Sequence, residues 1–347
     1  MSELKTNKIS TNDQNNVAID NALGLKSYTT AQRDALTSVA GDMIYNTSDS
    51  KVQVYNGSSW DDLGGVSVFA LEYLVVGGGG NPRLTTGVKS GGGGAGGQLT
   101  NVSGDNSGGG NSASPAFYVV PGTNYDVEVG ASKGISYFES ITSGAGGSSG
   151  SGGFSTNGAA TTCGGTSTTA PTNPYPNQGF RGGAGNASGQ SVGGGGGGTG
   201  TVGGDNPGAT GGNGGTGTIS TIISASDATT YSVGEVSGSD VYFGGGGGGA
   251  GTSAGGGTST GGLGGGGNGK SDSSAAEFGA ANTGGGGGAS NTGTDGQGGS
   301  GVVILKFPDT YTITVGAGLT DATSGGITSG GFTTVILTAG VDTVSWS

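Results

Sequence analysis

The chain has 347 residues, of which 89 are Gly, 8 Pro, one Cys and none His, with 11 Lys plus Arg against 23 Asp plus Glu and a net charge of −12. The missing histidines exclude His-based triads, His metal sites and His general bases, and the acidic balance speaks against broad nucleic-acid binding, which needs a basic footprint. Gly-X-Y periodicity, which would mark collagen, is absent. So is any run approaching ~20 apolar residues, so no membrane insertion is expected. No basic, apolar signal segment opens the sequence, and the expectation is a protein made in a cytoplasm. Cys163, in TTCGG, has no second cysteine to bond with and reads as a small loop or core residue.

Residues 1–65 form the first zone. The opening is polar and weakly β-like. TTAQRDAL then predicts a short helix whose Thr29 and Gln32 can make a capping box, with Gly41 soon after its end. Two alternating segments follow, Met43 to Thr47 and Lys51 to Tyr55, flanking a Ser-Asp-Ser turn, then an Asn56-Gly57 turn and Trp60. Ile44, Val52, Val54, Tyr55 and Trp60 supply only a small core, so this end is expected to associate with other copies or a partner.

At about residue 68 the composition changes. From FALEYLVVGGGG to GVVILKF, residues 68–307, glycine runs recur at 77–80, 91–94, 193–198, 244–249, 264–267 and 284–288 without a fixed period. A glycine run loses the most entropy on ordering, so its order needs an offset. One offset is the polyproline II conformation, in which six residues make two turns over about 19 Å. Arrays of such glycine helices approach closely and donate N–H groups to neighbouring carbonyls. A β fold with long glycine loops and a set of mobile spacers are the alternatives. The fold class expected is therefore mainly β and polyglycine II. A glycine-rich helix-sandwich core is flanked by the N-terminal hairpin and short helix and by a C-terminal β unit at 308–347. There TYTITV alternates cleanly and FTTVILTAGVDTVSWS holds two candidate strands, with Trp346 a packed anchor.

Function would then reside in the inserts. GGTSTTAPTNPYPNQGFRGGAG, Gly164 to Gly185, holds Pro171, Pro174 and Pro176. Its Asn173, Tyr175, Asn177, Gln178, Phe180 and Arg181 combine aromatics, amides and a guanidinium able to meet a sugar or a protein surface. The competing reading has Tyr175 and Phe180 cap the end of the glycine array. Tyr137 and Phe138, in SKGISYFESITSG, read as strand residues packed inward rather than as a recognition patch. NTGTDGQGG and GGDNPG match neither EF-hand nor RTX calcium spacing and read as turns. No metal and no cofactor is expected, and the glycine runs match neither phosphate-binding fingerprint. Asp126, Glu128, Glu139, Asp227, Glu235 and Asp240 could supply a carboxylate pair for glycan hydrolysis, but nothing in the sequence pairs them; no enzyme is expected.

Two resemblances extend this reading. YTTAQRDAL, GDMIYNT and YNGSSW, all within Ser27 to Gly65, resemble a motif of tail-fibre and other structural proteins of tailed bacteriophages, marine phages and cyanophages especially. The glycine region resembles phage adhesins whose polyglycine II domains sit at the tips of long tail fibres. In those adhesins, loops between the glycine motifs contact outer-membrane proteins or surface glycans. The corresponding loops here are 166–181 and 270–283. The resemblance implies a virion tail-fibre or receptor-binding protein that attaches the particle to its bacterial host. Its implied partners are other fibre or baseplate proteins and a host outer-membrane protein or glycan, and its implied assembly is a homo-oligomer such as a trimer. A virion structural or decoration protein without a receptor is the alternative, and a glycan depolymerase a more distant one.

Overall fold

A computed structural model describes residues 24–63, 68–82, 90–148, 178–185, 192–206, 208–252 and 257–347. The chain divides into two compact units, Met1–Ser67 and Val68–Ser347.

In the first unit, β1 (Ser27–Tyr28) leads to α1 (Thr30–Asp34) and then to β2 (Met43–Asn46), β3 (Lys51–Tyr55) and β4 (Trp60–Asp62), which make one sheet in the order β1-β2-β3-β4. The capping box forms as the sequence predicts: the Thr29 side chain accepts from the Gln32 backbone N–H, and the Gln32 carboxamide accepts from the Thr29 N–H at 2.9 Å. The turn after β3 is held by Asn56 Oδ1, which accepts from the backbone N–H groups of Ser58 and Ser59, both at 2.8 Å. Gly57 there has φ +105°. Under α1 the sheet buries a polar cluster. Arg33 Nη1 and Asn46 Nδ2 each donate to Gln53 Oε1 at 3.0 Å. Among the described residues of this unit, Ile44 alone is a fully buried hydrophobic.

The second unit opens with β5 (Phe69–Val76), β6 (Gln98–Thr100), β7 (Asn106–Ser107) and β8 (Asn111–Ser112). Then come β9 (Phe117–Val119), β10 (Tyr125–Val129), β11 (Ser136–Phe138) and β12 (Ile141–Ser143). β13 (Thr218–Ile219), α2 (Ala225–Tyr231), β14 (Glu235–Ser237) and β15 (Asp240–Phe243) follow. Last are β16 (Val302–Pro308), β17 (Ile313–Val315), β18 (Leu319–Asp321), β19 (Ile327–Ser329) and the long β20 (Phe332–Trp346).

The expected helix-sandwich core is corrected here. Of the described residues 31% are strand and 5% helix, and the architecture is a near-closed antiparallel barrel. β9 pairs with β5, β5 with β16, β16 with β20 and β20 with β10, and the turn from β9 to β10 brings the ring almost round. The physical reason lies in the islands between the glycine runs. Glycine has no side chain to remove from water, so the burial that drives folding comes from FALEYLVV and VVILKFP. Alternation along these strands feeds two cores. Phe69, Leu71, Tyr73, Val75, Val303, Leu305 and Phe307 face the barrel interior, where Trp346 lies 1% exposed among Phe69, Tyr125, Phe138 and Phe307. Leu74, Val76, Val302 and Ile304 face outward onto Ile222, Ala228 of α2 and Phe243 of β15. Central strands covered on both faces read as continuous apolar runs for this reason.

β20 is one strand of fifteen residues where two were expected. The pairing of β20 with β18 skips Thr338, two residues before Gly340 with its φ of +103°, so the strand carries a bulge there and continues without ending. Because β20 pairs with β16 and β10, the residues after 308 belong to the same sheet as β5.

The glycine runs occupy the space beside the barrel as segments with neither helix nor ladder pairing, held to one another through the backbone. Gly93 N–H donates to Gly287 O at 2.8 Å, Gly247 to Gly93 at 2.9 Å, and Gly196 to Gly247 at 2.8 Å. Gly215 donates to Gly196 at 2.9 Å, Gly246 to Gly215 at 2.8 Å, and Gly286 to Gly245 at 2.8 Å. A Cβ built on Gly247 would come closer than 3.0 Å to the Gly287 carbonyl, and one on Gly196 equally close to that of Gly93. Backbones approach here as only glycine permits.

Candidate recognition site

The glycine segments run out from the barrel and back. They leave directly after Val76, Ser143 and Phe243, and return into Gln98 and Val302. Far from the strands, Ala250 N–H donates to Ser90 O at 3.0 Å, Gly193 to Ala250 at 2.9 Å, Thr252 to Ala209 and Lys270 to Ala289, both at 2.8 Å. The inserts around 208–211, 270–276 and 289–295 therefore gather at that end. They are turn-rich and polar. Asp272 Oδ1 accepts from the Ser274 N–H at 2.9 Å, and this hydrogen bond holds its carboxyl below the usual carboxylate range. Asp295 moves the other way: burial raises its pKa, against the opposing pull of the Ser290 N–H, which donates to Oδ1 at 2.6 Å. Among the described residues, no three of Asp, Glu or Cys group closely enough to hold a metal ion.

The insert expected to carry recognition is described from Gln178 onward; Asn173, Tyr175 and Asn177, and Cys163 with them, lie outside the described residues. Gln178 is 4% exposed, and its carboxamide is spent on backbone: Oε1 accepts from Gly144 N–H at 2.7 Å and Nε2 donates to Thr142 O at 2.9 Å. Phe180 is half-buried, its N–H donating to Gly198 O at 2.9 Å and its ring reaching Gly110. Arg181 is exposed, and its carbonyl accepts from Gly203 N–H at 3.0 Å. Phe138 is fully buried in the barrel, and Tyr137 half-buried.

Next to Gly110 lies a cleft of about 430 Å³ that the sequence did not single out. The turn from Gly104 to Gly110 forms one wall, and β13 with Tyr242 of β15 forms the other. Its floor is fixed by Asp105, whose buried carboxylate accepts from Ser220 Oγ at 2.8 Å, Thr221 N–H at 2.9 Å and Thr221 Oγ1 at 2.8 Å. Behind it Thr199 Oγ1 donates to Phe243 O at 2.9 Å and accepts from Thr218 N–H at 2.9 Å and from Thr218 Oγ1 at 3.0 Å. A signal was available in SGDNS and STIIS, since a carboxylate facing two hydroxyl residues is a common latch, but the two stretches are over a hundred residues apart.

Three of the six carboxylates weighed for hydrolysis bond to the surrounding framework. Glu235 Oε2 accepts from Gly264 and Gly265 N–H, each at 2.7 Å, Asp227 lies in the first turn of α2 and accepts from Ser224 Oγ at 2.6 Å, and Glu139 Oε1 accepts from Asp126 N–H at 2.7 Å. No helix among the described residues is long and apolar enough to cross a membrane.

A family model described as a glycine-rich domain matches residues 57–308, from the Asn56-Gly57 turn to the end of β16. No curated protein and no solved structure matches the chain. The matched stretch takes in the barrel's two central strands and all the glycine segments between them, and by it the chain belongs to the glycine-rich domain family.

Proposed function

We propose that the protein is a non-enzymatic component of a tailed-phage fibre that attaches the particle to its bacterial host. The observation that carries this reading is the segment from Ser27 to Gly65. Its three phage-like motifs supply the capping box, the β2–β3 hairpin and the Asn56 turn of one small unit. A unit with so little buried apolar surface is stabilised by neighbours, which fits a place in a homo-oligomeric fibre or on a baseplate. The glycine segments support the same reading. They form a side-chain-poor framework with little catalytic chemistry, and their inserts provide surface. Phe180 and Arg181, with Asn173, Tyr175 and Asn177 before them, are the receptor-contact candidates, while buried Gln178 anchors the end of that insert. Weak contacts repeated over several copies would sum through multivalency.

The test is adsorption. The fluorescently labelled chain is applied to a panel of bacterial strains, and phage attachment is timed on every strain it stains. Saturable staining with slowed phage attachment is the expected result. Absence of staining, with antibody against the chain decorating heads rather than tails, would overturn attachment in favour of a decoration role.

A further inference from the structure

We infer that the cleft between the Gly104–Gly110 turn and β13–β15 binds one neutral sugar residue of a surface glycan. Its volume of about 430 Å³ falls within the range of about 300–1,000 Å³ typical of small-molecule sites. Charge decides the class of ligand. Among the described residues lining the cleft Asp105 alone is charged, and three donors already occupy most of its acceptor sites. A phosphate or a sialic acid entering here would lose water and meet the like charge of Asp105 with no cation to offset it, which disfavours it strongly.

What the cleft does present is an amphipathic wall. Val241 and Phe243 of β15 point into the core at 2% and 0% exposure, so Tyr242 between them stands on the outer face. Ile219 pairs with it across the strands and is 37% exposed. Glu235, on Tyr242's other side, is turned to the N–H groups of Gly264 and Gly265 and is not among the described residues lining the cleft. Tyrosine offers an apolar ring with a polar tip, suited to the C–H face of a pyranose, and among the described residues its hydroxyl makes no hydrogen bond. The Asn106 carboxamide, exposed on the opposite wall and likewise without a described partner, supplies a donor and an acceptor for sugar hydroxyls. The floor beneath is rigid, because the hydroxyls of Thr199, Thr218 and Thr221 are bonded to one another, to Asp105 or to backbone. Phe180, against Gly110, places the end of the 164–185 insert at the rim.

As a receptor subsite this rests on the attachment reading; as a binding site it does not. The test uses the full chain and the methyl glycosides of glucose, galactose, mannose and N-acetylglucosamine, read by saturation-transfer NMR and calorimetry. At least one should bind, glucose 6-phosphate should not compete, and Tyr242→Ala should weaken binding at least tenfold. Ile219→Glu, on the outer face where the core is untouched, should weaken it similarly and guards against a fold defect in the first variant. If none of the four transfers saturation, or both variants bind as the parent does, the inference is wrong. Cell staining separates the two readings. Staining that survives Tyr242→Ala leaves attachment standing and removes the cleft from it. Sugar binding without staining leaves the cleft standing and removes attachment.

Discussion

Two regions of the second unit hold together by opposite means. In the barrel, strand alternation sends large side chains inward, and Trp346 sits edge-on to Tyr125, Phe138 and Phe307. In the glycine segments backbone meets backbone, and most N–H groups of the runs donate to a carbonyl of a neighbouring segment. The barrel is stabilised by removing apolar area from water, roughly 25 cal/mol per Å². The glycine segments are close-packed backbone whose hydrogen bonds each add only about 0.5–1.5 kcal/mol net, against the largest ordering entropy of any residue. That imbalance makes the barrel the foundation: β5, β12, β15, β6 and β16 fix where glycine segments begin and end.

Mutations should separate the regions. The largest effect falls in the barrel. Trp346→Ala should cost about 3–5 kcal/mol in denaturant unfolding, a large fraction of a domain's stability. Trp346→Phe should cost less, because the indole N–H is buried without a partner and its loss removes no hydrogen bond.

Gly247→Ala comes next. The added methyl collides with the Gly287 carbonyl rather than with a side chain that can swing away, so about 1–3 kcal/mol or more is expected from overpacking. Gly122→Ala provides the contrast. A Cβ there meets nothing within 4 Å, and its cost arises from φ +80° in the Pro121-Gly122 turn, about 1–2 kcal/mol. A larger loss at Gly122 than at Gly247 would break the comparison.

Smallest is a pH effect at the far end of the glycine segments. Burial raises the pKa of Asp295 in the folded chain. The folded state then holds its proton more tightly than the unfolded one, so the contribution is full below the ordinary carboxylate value and is lost as pH rises through the raised folded value. Asp295→Asn keeps an oxygen for the Ser290 N–H and removes the titration. Its melting temperature should vary less than the parent's from pH 4 upward.

Local chemistry was legible in the sequence. Thr29 and Gln32 are three residues apart, and the β2–β3 hairpin closes over a four-residue turn, so neither depends on distant chain. α2 was not foreseen: it is seven residues long and buries only Ala228, so it shows no stripe, although Ser224 and Asp227 marked its start. The barrel was missed because its pairings are remote in sequence, Val127 with Asp342 for one, and glycine dominates the chain between them. FTTVILTAGVDTVSWS read as two strands because the bulge at Thr338 shows only in the pairing of β20 with the distant β18. Gln178, an amide beside aromatics, resembled a surface contact; its partners Thr142 and Gly144 are over thirty residues away. The cleft beside Gly110 was invisible for the same reason, since Asn106 and Tyr242 meet only in the fold.

Amide hydrogen exchange resolved over Gly244 to Gly249 tests the central claim most directly. If these glycines are held by their neighbours' carbonyls, their N–H groups should exchange orders of magnitude slower than free peptide, approaching the protection of Val302 to Phe307. Exchange at the free-peptide rate while β16 stays protected would mean that the glycine segments are not bonded to one another.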